Sequence, residues 1–297
     1  MPSTRTAVSR KQTAPSPREL EQRLWLADQI DKLTTSLPSV TPSEWAETTR
    51  WLPPSVSPSP GFYSFEQTPY LREIVDCLGV ESPVREVAFV KGARLGATTA
   101  AENALGYYIS HVSSSPIMWV TADSELAHNR LQGNILPMIQ ASGLSERIKS
   151  SDEGNKRKTG QTDKKVEWAG GGSLRPLGAQ NANRFRQDNA EFLVRDELDG
   201  WPDVVGRDGD PLQLTFSRTA EFETSRKVYD VSTPTILGQS KIWAQFLRGD
   251  QRRYFIRCLG CGHPQTLRWR REDKDTGEVT GILWDTDPET KKLVPVT

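Results

Sequence analysis

The sequence has little of what marks secreted, disulfide-rich or membrane-spanning proteins. It contains 3 cysteines in 297 residues, which argues against a disulfide scaffold and fits a reducing compartment. Its apolar runs are short, as in Phe192-Leu193-Val194, whereas a membrane-spanning helix needs roughly 20 apolar residues. No apolar stretch follows the first basic residues, so we expect no secretory signal. These absences predict a cytosolic protein without membrane contact.

The chain also has no net charge, because 38 Lys and Arg residues balance 38 Asp and Glu residues. The charges are nevertheless segregated. Residues 1–18 carry four basic side chains and no acid, residues 188–210 carry eight acids against two arginines, and residues 248–271 carry seven arginines against one acid. Solvated surface explains any one of these runs, but together they favour a cation site near surfaces that meet phosphates.

The hydrophobic pattern divides the chain into predicted parts. Residues 1–60 are predicted to hold a basic arm, helices and a Pro-rich linker, and residues 61–250 a folded core. In that core, apolar strands alternate with helices, which predicts an α/β fold with a mainly parallel central sheet flanked by helices. The predicted strands are 87–90, 117–120, 192–194 and 227–231, a hairpin is expected within 166–176, and the predicted helices are 68–78, 98–108, 125–139 and 240–247.

A glycine-containing turn between the first strand and the next helix has the pattern of a phosphate-binding loop, VKGARLGATT at residues 90–99. Such a loop aims backbone N–H groups and a helix N-terminus at a phosphate, and adds a cation and a hydroxyl for Mg²⁺. Gly96 and Thr98 fit the standard pattern, but Ala97 stands where its lysine is expected and Lys91 stands at the first glycine. Lys91 could reach back to the phosphates, and Arg94 adds a second cation. In isolation, an ordinary turn explains this segment equally well.

Asp196 and Glu197 follow a predicted apolar strand. In nucleoside triphosphatases an aspartate at a strand end holds Mg²⁺, and the next glutamate orients or deprotonates the attacking water. We expect this strand to neighbour the strand that precedes the loop. Arg195 departs from the apolar residues usual at that position. Ser232-Thr233-Pro234 follows the last core strand and can sense a γ-phosphate, although the same tripeptide is common in turns.

Cys258 and Cys261 form a C-x-x-C knuckle, which is half of a zinc ribbon. Zinc requires four ligands, and only His263 lies nearby in the sequence. The knuckle is therefore either incomplete or free of metal, and residues 251–297 are interpreted as a linker that carries it.

In their order along the chain, the segments VKGARLGATT, WVTAD, FLVRDELDGW, DVSTPT and CLGCGHPQ resemble the N-terminal ATPase portion of the large terminase subunit of lambda-type tailed bacteriophages. The resemblance spans about residues 43–270. It implies a P-loop NTPase fold of the ASCE type that uses ATP and Mg²⁺ to drive double-stranded DNA into a procapsid. It also implies a small terminase subunit, the portal protein and further copies of the chain as partners, in the cytoplasm of a bacterial host. A nuclease domain is expected beyond residue 297, so no nuclease activity is expected from this chain.

The resemblance also implies roles for individual residues. Lys91 resembles a displaced loop lysine, Arg94 an arginine that acts in cis on the γ-phosphate, and Glu197 the catalytic glutamate. The other implied sites are ATP contacts at Gly92, Ala93, Gly96, Ala97, Thr98, Thr99, Gln67 and Tyr70, Mg²⁺ at Asp196 and Thr98, and coupling at Ser232, Thr233 and Pro234. Arg184 and Arg186, in the predicted loop before the acidic strand, are our candidates for contacts with DNA or with the ATP of a neighbouring subunit. Residues 1–60 are implied to dock the small subunit. Two alternatives stay open: a helicase-like ATPase, which needs a second motor domain, and a non-hydrolysing scaffold that binds DNA or a partner.

Overall fold

The structure is a computed structural model, and it describes residues 40–54, 56–57, 59–112, 114–149, 161–162, 165–266 and six short stretches between 270 and 295. The predicted basic arm and the rest of the segment before residue 40 lie outside the described residues. Within the described part of the chain, no helix is both long and apolar enough to cross a membrane.

Short elements precede the core. They are helix α1 (Pro42–Thr49), a two-stranded ladder of β1 (Trp51–Leu52) and β2 (Gly61–Phe62), a 3-10 turn at Phe65–Gln67, and helix α2 (Tyr70–Cys77). Thr41 begins α1 with a reciprocal capping box to Glu44, and Pro42 occupies the first turn, where its missing N–H costs nothing.

A seven-stranded sheet forms the centre of the molecule. Its strands are β3 (Glu86–Val90), β4 (Pro116–Thr121), β5 (Gln161–Thr162), β6 (Lys165–Glu167), β7 (Ser173–Gly178), β8 (Phe192–Asp196) and β9 (Lys227–Ser232), and their spatial order is β3-β9-β8-β4-β7-β6-β5. The first five strands in this order are parallel, while β6 and β5 continue antiparallel. The predicted α/β class, parallel sheet and hairpin are confirmed. The expected adjacency of the loop strand and the acidic strand is wrong, because β9 lies between β3 and β8.

Helices cover both faces of the sheet. Helix α3 (Ala97–His111) follows β3, and α4 (Ser124–Arg130) runs through a π-helical turn (Leu131–Ile135) into α5 (Leu136–Ala141) after β4. Alternate strand residues point to opposite faces. Trp119, Val194 and Tyr229 belong to the core under α3, whereas Met118, Leu193 and Val228 belong to the core on the other face. The helices after that are α6 (Ala182–Phe185), α7 (Pro211–Phe216) and α8 (Lys241–Arg248).

Helix α1 is part of the same core, although sequence analysis places the start of the core at residue 61. The indole of Trp45 is 1% exposed and lies against Gly106 in the middle of α3. A Cβ at position 106 would stand 1.9 Å from the Trp45 ring, so only glycine allows this contact. Residues 40–52 therefore fold with the core of the sheet.

Three small ladders follow α8. They pair β10 (Ile256–Arg257) with β11 (Pro264–Gln265), β12 (Arg270–Glu272) with β13 (Val279–Gly281), and β14 (Trp284–Thr286) with β15 (Leu293–Pro295).

Candidate functional site

The candidate site lies at the carboxyl ends of the parallel strands, which all meet at one edge of the sheet. Ligands of open α/β sheets bind at this edge, where loops leave the strands. Lys91 follows β3, Glu197 follows β8, and Thr233 follows β9. Because β9 lies between the other two strands, the loop residues, the acidic pair and the Ser-Thr-Pro segment meet at a single point.

The loop between β3 and α3 has a strained backbone. Gly96 has φ +73° and Arg94 has φ +58°, a left-handed conformation that is uncommon for a residue with a side chain. Two tyrosines bond to this part of the chain, since the Tyr70 hydroxyl donates to the Leu95 carbonyl (3.1 Å) and the buried Tyr229 hydroxyl donates to the carbonyl of Ala97 at the start of α3 (3.0 Å). The loop is thus fixed in shape before any ligand arrives.

Helix α3 begins at Ala97 directly after this turn, and its 15 residues run away from the site. The N–H groups of its first turn, which include those of Thr98 and Thr99, have no partner within the helix and aim at the loop. Together with the positive end of the helix dipole they favour an anion. Gly92, Ala93 and Arg94 are exposed, so a ligand has access to the loop.

Lys91 joins the three parts of the site. Its side chain is 8% exposed, and its Nζ donates to Glu197 Oε1 (2.8 Å) and to Thr233 Oγ1 (3.2 Å). Its backbone N–H donates to the Ser232 carbonyl (3.1 Å), which extends the ladder between β3 and β9. The displaced lysine of the loop therefore points inward to the acidic strand end.

Asp196 is completely buried at the end of β8. Arg130 Nη2 donates to its Oδ2 (3.2 Å), and the Trp201 indole donates to its backbone carbonyl (3.0 Å). Burial raises the pKa of Asp196, while the positive charge of Arg130 opposes that shift. Its Oδ1 is buried and has no hydrogen-bond partner among the described atoms. A buried carboxylate oxygen without a donor fits a hydrated Mg²⁺, which prefers oxygen ligands and retains water.

Glu197 adopts the left-handed conformation, with φ +52°, at the point where the chain turns from β8 into a 3-10 turn at Leu198–Gly200. About half of its side chain is exposed. Because the backbone turns at this residue, the two neighbouring carboxylates lie in different surroundings. That of Asp196 is buried, and that of Glu197 is accessible and pairs with Lys91.

Three residues that shape this site were not predicted from the sequence. Arg130 lies just before the π-helical turn, a feature frequent at functional sites, and reaches Asp196 from 66 positions away. Asp230 explains the unexpected Arg195: the two are register partners on β8 and β9, and Arg195 Nε and Nη2 donate to the Asp230 carboxylate (2.5 and 2.7 Å). Trp201 is the third. No local pattern marks any of these partners.

The remaining predicted site residues lie in varied surroundings. Gln67 is exposed in the 3-10 turn at Phe65–Gln67, and the Tyr70 ring contacts those of Phe89 and Tyr254, with centroids 6.5 and 5.7 Å apart. In and after α6, Arg186 pairs with Asp208, whereas the side chain of Arg184 makes no hydrogen bond or ion pair within the described residues.

Cys258 and Cys261 lie in the turn between β10 and β11, where Gly262 N–H donates to the Cys258 carbonyl (2.8 Å). Hydrogen bonds from the turn, first that of the Cys261 backbone, lower the pKa of the Cys258 thiol. Among the described residues, no group of three or more His, Cys, Asp or Glu side chains forms a metal site.

Comparison with known proteins gives a consistent result. A family model described as "Phage terminase large subunit gpA, ATPase domain" matches residues 57–294. The chain is 25% identical over 248 residues to the terminase large subunit of Escherichia phage lambda, and 25% identical over 252 residues to that of Enterobacteria phage P21. Each match covers 83% of this chain and 37% of the relative, so the chain spans little more than a third of their length.

Among solved structures, the large terminase of bacteriophage HK97 has a similar fold. The TM-score is 0.51 at 11% sequence identity, and the match covers 72% of this chain and 41% of the HK97 chain. At this identity the likeness concerns the fold alone.

Proposed function

This chain belongs to the family of phage terminase large-subunit ATPase domains, and on that premise we propose that it hydrolyses ATP to drive double-stranded viral DNA into a procapsid. The observation that carries the proposal is the bonded set of Lys91, Glu197 and Thr233 at the carboxyl ends of three strands. A loop cation and an acidic residue beside it are two of the parts that phosphoryl transfer to water uses, and the hydroxyl belongs to the proposed coupling segment.

The residues of the loop bind the phosphates of ATP. The N–H groups at the start of α3 and the cations of Lys91 and Arg94 offset the negative charge that develops in the transition state. The backbone set consists of Gly92, Ala93, Gly96, Ala97, Thr98 and Thr99. Lys91 is shared with Glu197 in this structure, so phosphate binding competes with that ion pair and releases the glutamate.

Glu197 orients the attacking water and accepts its proton, a role that needs an accessible carboxylate beside the loop. Asp196 and the Thr98 hydroxyl hold Mg²⁺, and the unpartnered Oδ1 of Asp196 supports this assignment. When bound, Mg²⁺ neutralises charge on the phosphate oxygens. Ser232, Thr233 and Pro234 respond to loss of the γ-phosphate through the contact between Thr233 and Lys91. Gln67 and Tyr70 flank the adenine.

The partners follow from the same assignment. Arg184, or Arg186 once freed from Asp208, contacts DNA phosphates or the ATP of a neighbouring copy on the portal ring. Contacts of this kind are independent of DNA sequence and sensitive to salt. Residues 1–60 dock the small terminase subunit, Cys258 and Cys261 contribute to a zinc site, and the protein acts in the cytoplasm of a bacterial host.

Steady-state ATP hydrolysis, measured with and without duplex DNA, tests the proposal. Glu197→Gln keeps the shape of the side chain but removes its charge, and we expect kcat to fall about 100-fold or more while ATP still binds. Asp210→Asn, which changes a helix-capping aspartate of α7, is the matched control. Wild-type protein without ATPase activity, even with DNA, would support a scaffold. Near-normal turnover by Glu197→Gln would remove the glutamate from the mechanism.

A further inference from the structure

The carboxylate of Asp199 is bonded to a segment that lies more than 30 positions further along the chain. Its Oδ2 accepts hydrogen bonds from the backbone N–H (2.9 Å) and the hydroxyl (2.8 Å) of Thr235, and its Oδ1 accepts from the N–H of Ile242 (2.8 Å). The N–H of Asp199 donates in turn to the Ser232 hydroxyl (3.1 Å). One side chain thus connects the turn after β8, the segment after β9 and the first turn of α8.

Asp199 also stands two positions after Glu197, within the same short turn. Glu197 pairs with Lys91, and Lys91 contacts Thr233, so the two ends of the segment 233–235 are held by different residues. Thr233 accepts its hydrogen bond from Lys91 of the phosphate loop, and Thr235 donates its hydrogen bonds to Asp199 in the turn at 198–200. A ligand that draws Lys91 away changes the first contact and leaves the second intact.

Asp199 adds to the capping of α8, because Ile242 N–H is one of the first-turn donors that have no partner within the helix. Ser240 already occupies the N-cap position, where its hydroxyl accepts from the N–H of Trp243 (3.2 Å). The same turn makes another connection to α8, since Lys241 Nζ donates to the Trp201 carbonyl (2.9 Å). Helix α8 is therefore attached to residues 199–201 at two points, through the N–H of Ile242 and the side chain of Lys241.

We propose that Asp199 is a positioning residue that transmits the nucleotide state of the site to helix α8. The proposal rests on the proposed ATPase function. Binding at the loop moves Lys91 and the Glu197 turn, and Asp199 carries that movement to Thr235 and to the start of α8. The helix leads directly into the basic segment 248–257, so it is placed to convey the state of the site to whatever that segment contacts.

Hydrogen–deuterium exchange of the 297-residue chain, with and without Mg²⁺ and the non-hydrolysable analogue AMP-PNP, tests the proposal. In the wild type we expect the analogue to change exchange by about threefold or more both in residues 91–98 and in residues 242–245. In Asp199→Asn the change at 91–98 should persist, and the change at 242–245 should fall to about a third of the wild-type value or less. Asp210→Asn, which alters the N-cap of α7, should preserve both changes.

The difference caused by the analogue is the decisive quantity. If Asp199 has a purely structural role, Asp199→Asn will raise exchange of the Ile242 amide without nucleotide, but the change that AMP-PNP causes at 242–245 will equal that of the wild type. This result would overturn the proposal. A wild-type response confined to 91–98 would also overturn it, whereas no response at 91–98 would refute the nucleotide site itself. If Asp199→Asn does not fold, Thr235→Val serves instead, because it removes the hydroxyl that donates to Asp199. An analogue-induced change at 242–245 as large as that of the wild type would then also overturn the proposal.

Discussion

The ion pair between Arg195 and Asp230 permits a quantitative prediction. Both side chains are at least 95% buried, two hydrogen bonds join them, and Arg195 Nη1 also donates to the Leu212 carbonyl (3.1 Å). Arg195→Met removes the guanidinium and keeps much of the volume, which leaves the Asp230 carboxylate buried and unpaired. Removing one partner of a buried pair costs about 3–5 kcal/mol. For a domain of this size, such a loss lowers Tm by roughly 6–20 °C.

The second substitution shows whether the unpaired charge is the cause. Arg195→Met with Asp230→Leu eliminates the buried carboxylate, so we expect the double variant to be more stable than the single one by about 2 kcal/mol or more. The Leu212 carbonyl loses its Arg195 donor in both variants but keeps the Thr215 hydroxyl (3.1 Å), so this loss is common to the two variants and does not affect their difference. Urea unfolding, followed by circular dichroism, measures both differences.

A matched control uses an exposed arginine. Arg252 pairs with Glu73 and Asp250 in the solvent, with about two-thirds of its side chain exposed, so Arg252→Met should leave the unfolding midpoint nearly unchanged. The reasoning is refuted if Arg195→Met costs less than about 1 kcal/mol, or if the double variant is no more stable than the single variant.

Three further predictions concern other charged groups. Lys91→Ala should raise the Kd for ATP about tenfold or more in a fluorescent-nucleotide titration, because it removes the buried cation of the loop; an unchanged Kd would contradict its role. Arg184→Ala should lower DNA-stimulated ATPase more than basal ATPase, and equal losses would separate Arg184 from DNA. Burial lowers the pKa of Lys227 from 10.5 to about 8. Between these values the unfolded chain binds more protons, so stability should rise with pH, and Lys227→Met should flatten that rise between urea midpoints at pH 7.5 and 9.5.

Local pattern was sufficient to predict the elements that carry the site. The apolar run before Lys91, the glycine at 96 and the helical composition after it define β3, the loop and α3 without reference to the rest of the chain. Asp196 and Glu197 were found in the same way, as acids at the end of an apolar strand. Periodicity and turn chemistry act over a few residues, and these features are contained within a few residues.

Partners that are distant in sequence could not be predicted. Asp230 lies 35 positions from Arg195, and Lys227 Nζ donates to the carbonyls of Ser82 and Val84 more than 140 positions away. The order of the strands in the sheet could not be predicted for the same reason. Nothing local indicates that β9 enters between β3 and β8, and the expected adjacency failed for that reason. Such pairings depend on topology, which composition and spacing do not specify.

The contact between Trp45 and Gly106 has a consequence for experiments on shorter versions of the protein. The family match starts at residue 57, and a polypeptide trimmed to that boundary would lack α1 and its indole. A void the size of a tryptophan side chain would open behind α3, the helix whose other end forms the phosphate loop, and losing such a side chain costs about 3–5 kcal/mol. Weak nucleotide binding by a trimmed polypeptide would then reflect a damaged interior, and residue 40 is the safer starting point.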